Sequence, residues 1–239
     1  MKSRNKKLIV FLILLVISLY LNYSDTIKNT FSKDKNVVVS YNLDQVPEYN
    51  GSPYVVINNN EPEFDDLAKT TNSFEVYSEL DSIGRCGEAY ANISVDLMPT
   101  EKRERIGMVK PSGWQTTKYD IITDGKYLYN RCHLIAYQLT AENANPKNLI
   151  TCTRYTNSVT MVEFENMVGN YIRRTKNHVL YRVRPIFKGK DLVASGIQME
   201  AYSIEDNGKG IKFNVYVYNI QPGIEIDHST GKSKLIENN

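Results

Sequence analysis

The chain has 239 residues, of which 41% are hydrophobic and 23% charged, with 13 Gly and 8 Pro. That composition excludes a largely disordered, collagen-like or coiled-coil protein, and the length allows one large domain or two small ones. The formal net charge of +2 hides an asymmetry: Lys2, Arg4, Lys6 and Lys7 stand in the first 23 residues with no acid, leaving 25 basic and 27 acidic residues for the remainder. Overall charge gives no sign of nucleic-acid binding, so any such function must rest on local sites.

The basic stretch Lys2 to Lys7 runs into Leu8 to Leu21, 14 residues without a charge, which is the pattern of an export segment. As a helix it would rise about 21 Å, short of the roughly 30 Å hydrocarbon core, which favours a cleaved signal peptide. No small-x-small triplet follows it, however, so an uncleaved membrane anchor with Asn22 and Tyr23 at the interface is the equal alternative. Both readings place the rest of the chain outside the cytoplasm.

Thr26 to Asn36 is polar and lysine-rich and reads as a linker. Val37 to Tyr41 and Tyr54 to Ile57 are β-branched or aromatic runs bounded by Asn, Gly and Pro, hence short strands. Glu61 to Lys69 suggests a short helix, Ala89 to Leu97 alternates as a strand, and Thr100 to Trp114 reads as a charged surface loop. Tyr127 to Tyr129 leads as a short strand into Asn130 to His133, and Leu149 to Thr153 forms another. Val162, Phe164, Met167, Val168, Tyr171 and Ile172 recur at the spacing of an amphipathic helix. Val179, Tyr181 and Val183 alternate with Leu180, Arg182 and Arg184, a strand with one basic face. Strands near Leu192 to Ile204 and Ile211 to Ile220 follow, with Asn207-Gly208 turning between them. One mixed α+β domain is the simpler organisation. Cys86, Cys132 and Cys152 are too few and scattered for a disulfide framework. One pair could bridge, but small buried cysteines without a bond are the simpler expectation.

Chemistry concentrates in the second half. His133 sits at a strand end with Arg131 two residues before it, so an extended chain puts imidazole and guanidinium on one side. That pairing suits phosphoryl chemistry, in which a neutral imidazole takes a proton from water and a guanidinium meets phosphate oxygens bidentately. Taken alone, His133 reads more simply as a satisfied, partly buried histidine than as a catalytic one; His178 and His228 read as surface positions. Asn145-Pro146 is a turn signal, and Asn157 could simply cap a helix. If the helix reaches back to Asn157, that residue and Glu165 lie about 12 Å apart along its axis and about 80° apart around it. A distorted first turn would let them flank one hydrated cation, and Mg²⁺ usually keeps several waters and takes one or two protein ligands.

Asn130-Arg131-Cys132-His133 resembles the Asp-Arg-Gly-His signature of the DNA/RNA non-specific endonucleases, ββα-metal (His-Me finger) nucleases, and is most similar to the streptococcal secreted DNases and the DNA-entry nuclease. The likeness runs from about Tyr77 to Thr230. It includes Ser78 to Arg85, Asn145-Pro146-Lys147-Asn148, Asp191-Leu192-Val193, Gln198-Met199-Glu200 and Phe213-Asn214-Val215. It implies an α+β fold in which two short strands and a metal-bearing helix form a ββα-metal core on a mixed, mainly antiparallel sheet. On this resemblance residues 1–23 are the export signal or anchor, 24–60 a linker with N-terminal strands, and 61–239 the nuclease domain. His133 matches the general base, Asn157 the direct metal ligand, and Glu165 the acid that holds a metal-bound water. Asn148 matches a supporting asparagine, Arg131 the signature arginine, and Arg85 a phosphate contact.

The implied activity is Mg²⁺-dependent, sequence-non-specific hydrolysis of DNA, with RNA as a further substrate and Mn²⁺ as a substitute ion, leaving 5′-phosphate and 3′-hydroxyl ends. The protein would act as a monomer, secreted or held on the outer face of the membrane by its N-terminal segment alone. Two signature positions depart from the family: Asn130 replaces an acid and Cys132 replaces glycine. Asn can still hydrogen-bond at a strand end, and Cys is unstrained if the position is plain β. For substrate grip, Tyr171 to Lys190 holds seven basic residues and no acid, so Arg173, Arg174, Arg182 and Arg184 are expected phosphate contacts. A Cys132–His133 cysteine enzyme is rejected because neighbours on a strand face opposite ways. A zinc site from Cys86, Cys132, His133 and Cys152 lacks ligand spacing. The standing alternative is a non-catalytic secreted DNA-binding or mitogenic protein that keeps the fold.

Overall fold

The computed structural model describes residues 39–123 and 125–237; the export or anchor segment expected at residues 1–23 and the linker through 36 lie outside the described residues. Among the described residues no helix is long and apolar enough to cross a membrane. In chain order they form β1 (Ser40–Tyr41), β2 (Tyr54–Ile57), β3 (Phe74–Tyr77), β4 (Ala89–Ile93), β5 (Tyr129–His133), the short helix α1 (Tyr137–Thr140) and β6 (Leu149–Thr153). A π-helical turn over Thr156–Met161 then runs into α2 (Val162–Thr175), followed by β7 (Val179–Ile186), β8 (Gly196–Ser203), β9 (Lys212–Tyr218), β10 (Ile224–Ile226) and β11 (Ser233–Leu235).

Seven strands make the main sheet in the order β1-β2-β9-β8-β7-β4-β3, antiparallel throughout except β1 against β2. The α+β class with a mainly antiparallel sheet is the one expected. β8 and β9 are joined at Asn207 and Gly208, both at positive φ (54° and 75°), the backbone that a tight hairpin turn demands and that Asn-Gly supplies at least cost. The strand expected to reach Leu97 stops at Ile93, where Leu97 N–H bonds the Ser94 carbonyl and the chain turns. The helix expected near Glu61 to Lys69 is a single 3-10 turn, Asp66–Ala68, capped by Asp65.

Strand alternation divides the residues between two faces. Tyr181 and Val183 of β7, Met199 of β8 and Phe213 and Val215 of β9 face α2 and form the main core with Phe164, Val168 and Ile172. Phe164 packs edge-on to Tyr54 at 5.2 Å and against Phe213 at 5.0 Å. On the opposite face, register sets Arg182 against Glu200. Glu200 is fully buried; it accepts from Arg182 Nε at 2.8 Å, Arg184 Nη2 at 3.1 Å and the Glu63 backbone N–H at 2.9 Å.

β5 and β6 form a separate two-stranded sheet. It is tied to the main sheet by side chains. Asn219, fully buried, accepts from Thr153 N–H at 3.0 Å and donates to the Thr151 and Ala194 carbonyls. The Thr156 hydroxyl reaches the Tyr218 carbonyl at 3.0 Å. Here the cysteine expectation is corrected: Cys132 and Cys152 are disulfide-bonded, with Cα atoms 5.8 Å apart, and only Cys86 is free. Cys132 pairs with Ile150 and Cys152 with Asn130, so the two cysteines are diagonal neighbours on one face of the hairpin, within bridging distance.

The buried Glu200 cluster yields a stability prediction. Glu200→Ala strands Arg182 beside a desolvated gap, and a loss of about 3–5 kcal/mol is expected in urea denaturation. Cleavage per folded molecule should not change, because the cluster lies on the sheet face opposite α2.

Candidate active site

A cleft of about 810 Å³ opens where the β5–β6 hairpin, the π-turn and the 103–116 loop meet. His133, Arg131, Asn157 and Glu165 all line it, together with Arg103, Trp114, Tyr127, Asn130 and Arg154. Four of the residues singled out from the sequence, 34 positions apart at the extremes, are thus brought together by the hairpin and the helix that follows it.

His133 ends β5 and is 6% exposed. Its Nε2 lies 2.7 Å from the Asn143 carbonyl oxygen. A carbonyl only accepts, so the neutral ring carries its proton on Nε2 and its lone pair on Nδ1. Burial, reinforced by the Arg103 charge and opposed by the Asn143 contact, lowers the imidazole pKa from 6.5 to about 4. The ring is therefore neutral at physiological pH and able to take a proton. Asn148 does not touch the ring or reach a phosphate position. It is fully buried, and its amide accepts from Ile135 N–H and donates to Ile135 C=O, both at 2.9 Å. It clamps the chain two residues past His133.

Asn157 and Glu165 share the cleft because of the π-turn. At about 4.4 residues per turn, its first four steps rotate less than α-helical ones, so the two residues finish about 10° apart rather than 80°. The distorted first turn that cation sharing required is present. Asn157 Nδ2 donates to Ser158 Oγ at 3.3 Å, which leaves Oδ1 as its metal-binding type of donor. Burial pushes the Glu165 carboxyl up to about 8, with Arg103 pulling it back. Among the described residues no hydrogen bond to that carboxylate is formed, and no group of three or more His, Cys, Asp or Glu side chains gathers. One amide oxygen and one underused carboxylate fit a strongly hydrated cation and do not fit a closed zinc cage.

Arg131 stacks over Trp114 at 4.0 Å and donates to the carbonyls of Val109 and, at 2.8 Å, Gly107. It thereby fixes the charged loop against the hairpin while lining the cleft. Arg173, two turns beyond Glu165, reaches the cleft margin through Gln138 at 3.1 Å, and Arg174 is exposed on the last turn of α2. The other expected phosphate contacts are not brought to the cleft. Arg182 and Arg184 are spent on Glu200 across the sheet. Arg85 pairs with Asp81 at 2.7 Å, donates to the Gly189 and Asp191 carbonyls and covers Phe187. In their place stand Arg103 and Arg154, which sequence reasoning did not assign. Arg154 lies three residues before Asn157, a proximity that could have flagged it; Arg103 lies in a loop whose approach only the fold reveals.

A buried histidine on a hairpin, sharing an arginine-lined cleft with an asparagine and a carboxyl of the next helix, is the arrangement expected of a ββα-metal nuclease. Residues 66–205 match the family model of the DNA/RNA non-specific endonucleases, and the chain belongs to that family. Its fold is similar to that of NucA from Streptococcus agalactiae, solved with a magnesium ion bound, at TM-score 0.66 and 25% identity over 75% of this chain and 85% of that one. It is also similar to Sda1 nuclease, solved with a bound zinc ion, at TM-score 0.59 and 29% identity over 69% and 81% of the two chains. An extracellular endonuclease at 20% identity and TM-score 0.53, covering 69% and 87%, shares the fold.

The depressed His133 pKa predicts a stability slope. The unfolded chain takes up the imidazole proton near pH 6.5, the folded one only near 4, so the contribution is complete above 6.5 and lost as pH falls toward 4. Urea denaturation between those values should show stability rising with pH, more steeply in the wild type than in His133→Asn. Equal slopes would mean the ring is not buried as described.

Proposed function

We propose that this nuclease hydrolyses phosphodiesters of DNA, and also of RNA, with His133 as general base and one Mg²⁺ held by Asn157, outside the cytoplasm. The reading is supported above all by the hydrogen bond from His133 Nε2 to the Asn143 carbonyl, which leaves Nδ1 as the basic nitrogen in a cleft shared with Asn157 and Glu165. Nδ1 removes a proton from a water placed in line with the 3′ oxygen, and the carbonyl of Asn143 steadies the imidazolium that forms. Glu165, close to the same helix face as Asn157, is kept neutral by burial; a cation held beside it would favour the ionised carboxylate, which could then accept hydrogen bonds from metal-bound water. Arg103, Arg131 and Arg154 bring positive charge to the phosphate, which gains negative charge at the transition state. A Mg²⁺ held at Asn157 would supply neutralisation of the charge that develops at the phosphate and the leaving group. In-line attack from the His133 side gives 5′-phosphate and 3′-hydroxyl products. NucA binds a magnesium ion and Sda1 a zinc ion in their solved structures, which supports a divalent ion here; Mn²⁺ is the natural substitute for Mg²⁺, since both ions favour oxygen ligands. The 14-residue apolar leader supports export, either by cleavage or as a surface anchor.

The competing reading, a DNA-binding protein with no activity, is separated by two variants. His133→Ala should lower plasmid cleavage about 10²–10⁴-fold with DNA affinity largely kept, and Asn157→Ala should lower Mg²⁺ affinity in calorimetry. EDTA should abolish wild-type cleavage. Unchanged cleavage by His133→Ala would remove the base from the mechanism.

Grip by three arginines on phosphates, without base contacts, makes cutting sequence-tolerant and sensitive to ionic strength. With a slope near −0.9 per phosphate contact on duplex DNA, a tenfold rise in salt should lower kcat/KM by about two to three orders of magnitude. A salt-independent rate would contradict phosphate-led binding.

A further inference from the structure

The cross-link departs most from the family signature and lies closest to the chemistry. Cys132 immediately precedes His133, and its bridge to Cys152 closes a loop of sequence separation 20. That loop contains the groups that set the imidazole: His133 itself, the Asn143 carbonyl on Nε2, and Asn148, which clamps both backbone groups of Ile135. As a strand β5 pairs only with β6, and the backbone hydrogen bonds from Asn219 that tie the hairpin to the main sheet fall on Thr151 and Thr153 of β6. The register of β5 therefore rests on its ladder to the anchored β6, and a slip of one residue would turn His133 to the other face.

The cysteine sits where the signature has glycine, yet Cys132 is not among the residues with positive φ. It occupies ordinary strand backbone opposite Ile150, so the exchange adds a bridge without a backbone cost. The pairing is also unambiguous. Cys86, the third cysteine, is buried with its thiol at 3.1 Å from the Pro146 and Leu149 carbonyls, in surroundings that disfavour the thiolate needed for exchange.

We propose that the Cys132–Cys152 disulfide is a positioning cross-link for the catalytic base, so that full nuclease activity requires this pair to be oxidised. The inference rests on His133 being the base. Closing the bond takes two protons and two electrons from the thiols, and these pass to a small-molecule disulfide or an oxidoreductase disulfide by exchange. A chain made in a reducing compartment would stay weakly active until it met such an oxidant. Cys132 and Cys152 touch neither substrate nor metal; they act through the strand that ends at His133.

The test uses the full chain in three forms: oxidised wild type, wild type reduced with dithiothreitol under mild urea and returned to buffer, and Cys132→Ala/Cys152→Ala. Oligonucleotide cleavage gives kcat and KM, and ¹⁵N-histidine NMR follows the His133 ring N–H, simply assigned among three histidines. In both bond-free forms kcat should fall about 10- to 100-fold, with KM within about threefold. The slowly exchanging ring N–H should be lost, and reoxidation of the reduced wild type with oxidised glutathione should restore both signals. Folded bond-free protein with unchanged kcat and ring N–H, beside an inactive His133→Ala control, overturns the inference. An active His133→Ala overturns instead the assignment of the base, while the ring N–H still reports whether the bridge sets the imidazole. Failure of both bond-free forms to fold also overturns the inference, because the bond would then serve the fold as a whole.

Discussion

The β5–β6 hairpin meets the main sheet through buried side chains, and the positions of His133 and Asn157 depend on that attachment. Asn219 uses both ends of its amide on the backbone of Thr151, Thr153 and Ala194. The hydroxyls of Thr153 and Thr156 satisfy the Ile220 and Tyr218 carbonyls where β9 ends. Each bond contributes only about 1 kcal/mol net, but leaving any of these buried groups unpaired costs more than the bond contributes. Across the β5–β6 ladder the knot faces Tyr129 and Arg131, with His133 two residues further along the same strand, and Asn157 lies four residues beyond Thr153. One set of contacts thus holds the strand that ends at His133 and the turn that carries Asn157, the proposed base and metal ligand. The C-terminal residues support the other wall of the cleft. Tyr129 donates to the Gly231 carbonyl at 2.9 Å, and Ile224 packs with Leu128, Tyr129 and Trp114, so the loop that Arg131 grips is backed by the β10–β11 hairpin.

Burial and positive charge act on the two titrating groups in different senses. For His133, desolvation and the Arg103 charge both favour the neutral ring; for Glu165 they oppose each other, and desolvation prevails. The resting cleft accordingly holds a weak base and a carboxyl that is reluctant to ionise, facing three guanidinium groups. A phosphate entering it changes that balance. Its negative charge offsets the arginines and raises the basicity of His133 as the substrate arrives, which suits the role proposed for the ring. Asn143 reinforces this through an acceptor-only contact that the imidazolium uses better than the neutral ring.

Local pattern carried most of the fold. The apolar runs at Tyr54 to Ile57 and Leu149 to Thr153, and the Asn207-Gly208 turn, need nothing beyond their own sequence to be read. Phe74-Glu75-Val76-Tyr77 was not recognised as a strand: it is an edge strand with three of its four residues only partly buried, so its burial pattern is weak. The π-turn has no residue signature at all. It shows only as the 70° or so by which Asn157 escapes the α-helical projection, and packing of Thr156 against Tyr218 and Ile220 holds it. The disulfide is illegible in the sequence for a related reason. Separation in sequence says nothing about diagonal neighbours on a hairpin until the register is known, and register is a property of two strands at once.

Basic residues show the same limit most sharply. The richest basic stretch, Tyr171 to Lys190, puts Arg182 and Arg184 on the face of β7 opposite Tyr181 and Val183, because side chains alternate along a strand. Since Tyr181 and Val183 must meet α2 to build the core, the arginines face away from the cleft, and Glu200 and Glu88 compensate them there. The cations that do line the cleft, Arg103, Arg131 and Arg154, come from a loop, a strand and a strand exit, with no shared run. Their convergence follows from the same hairpin attachment that places His133. A charge map drawn along the chain therefore points away from the site, and the field at the phosphate is set by topology rather than by composition.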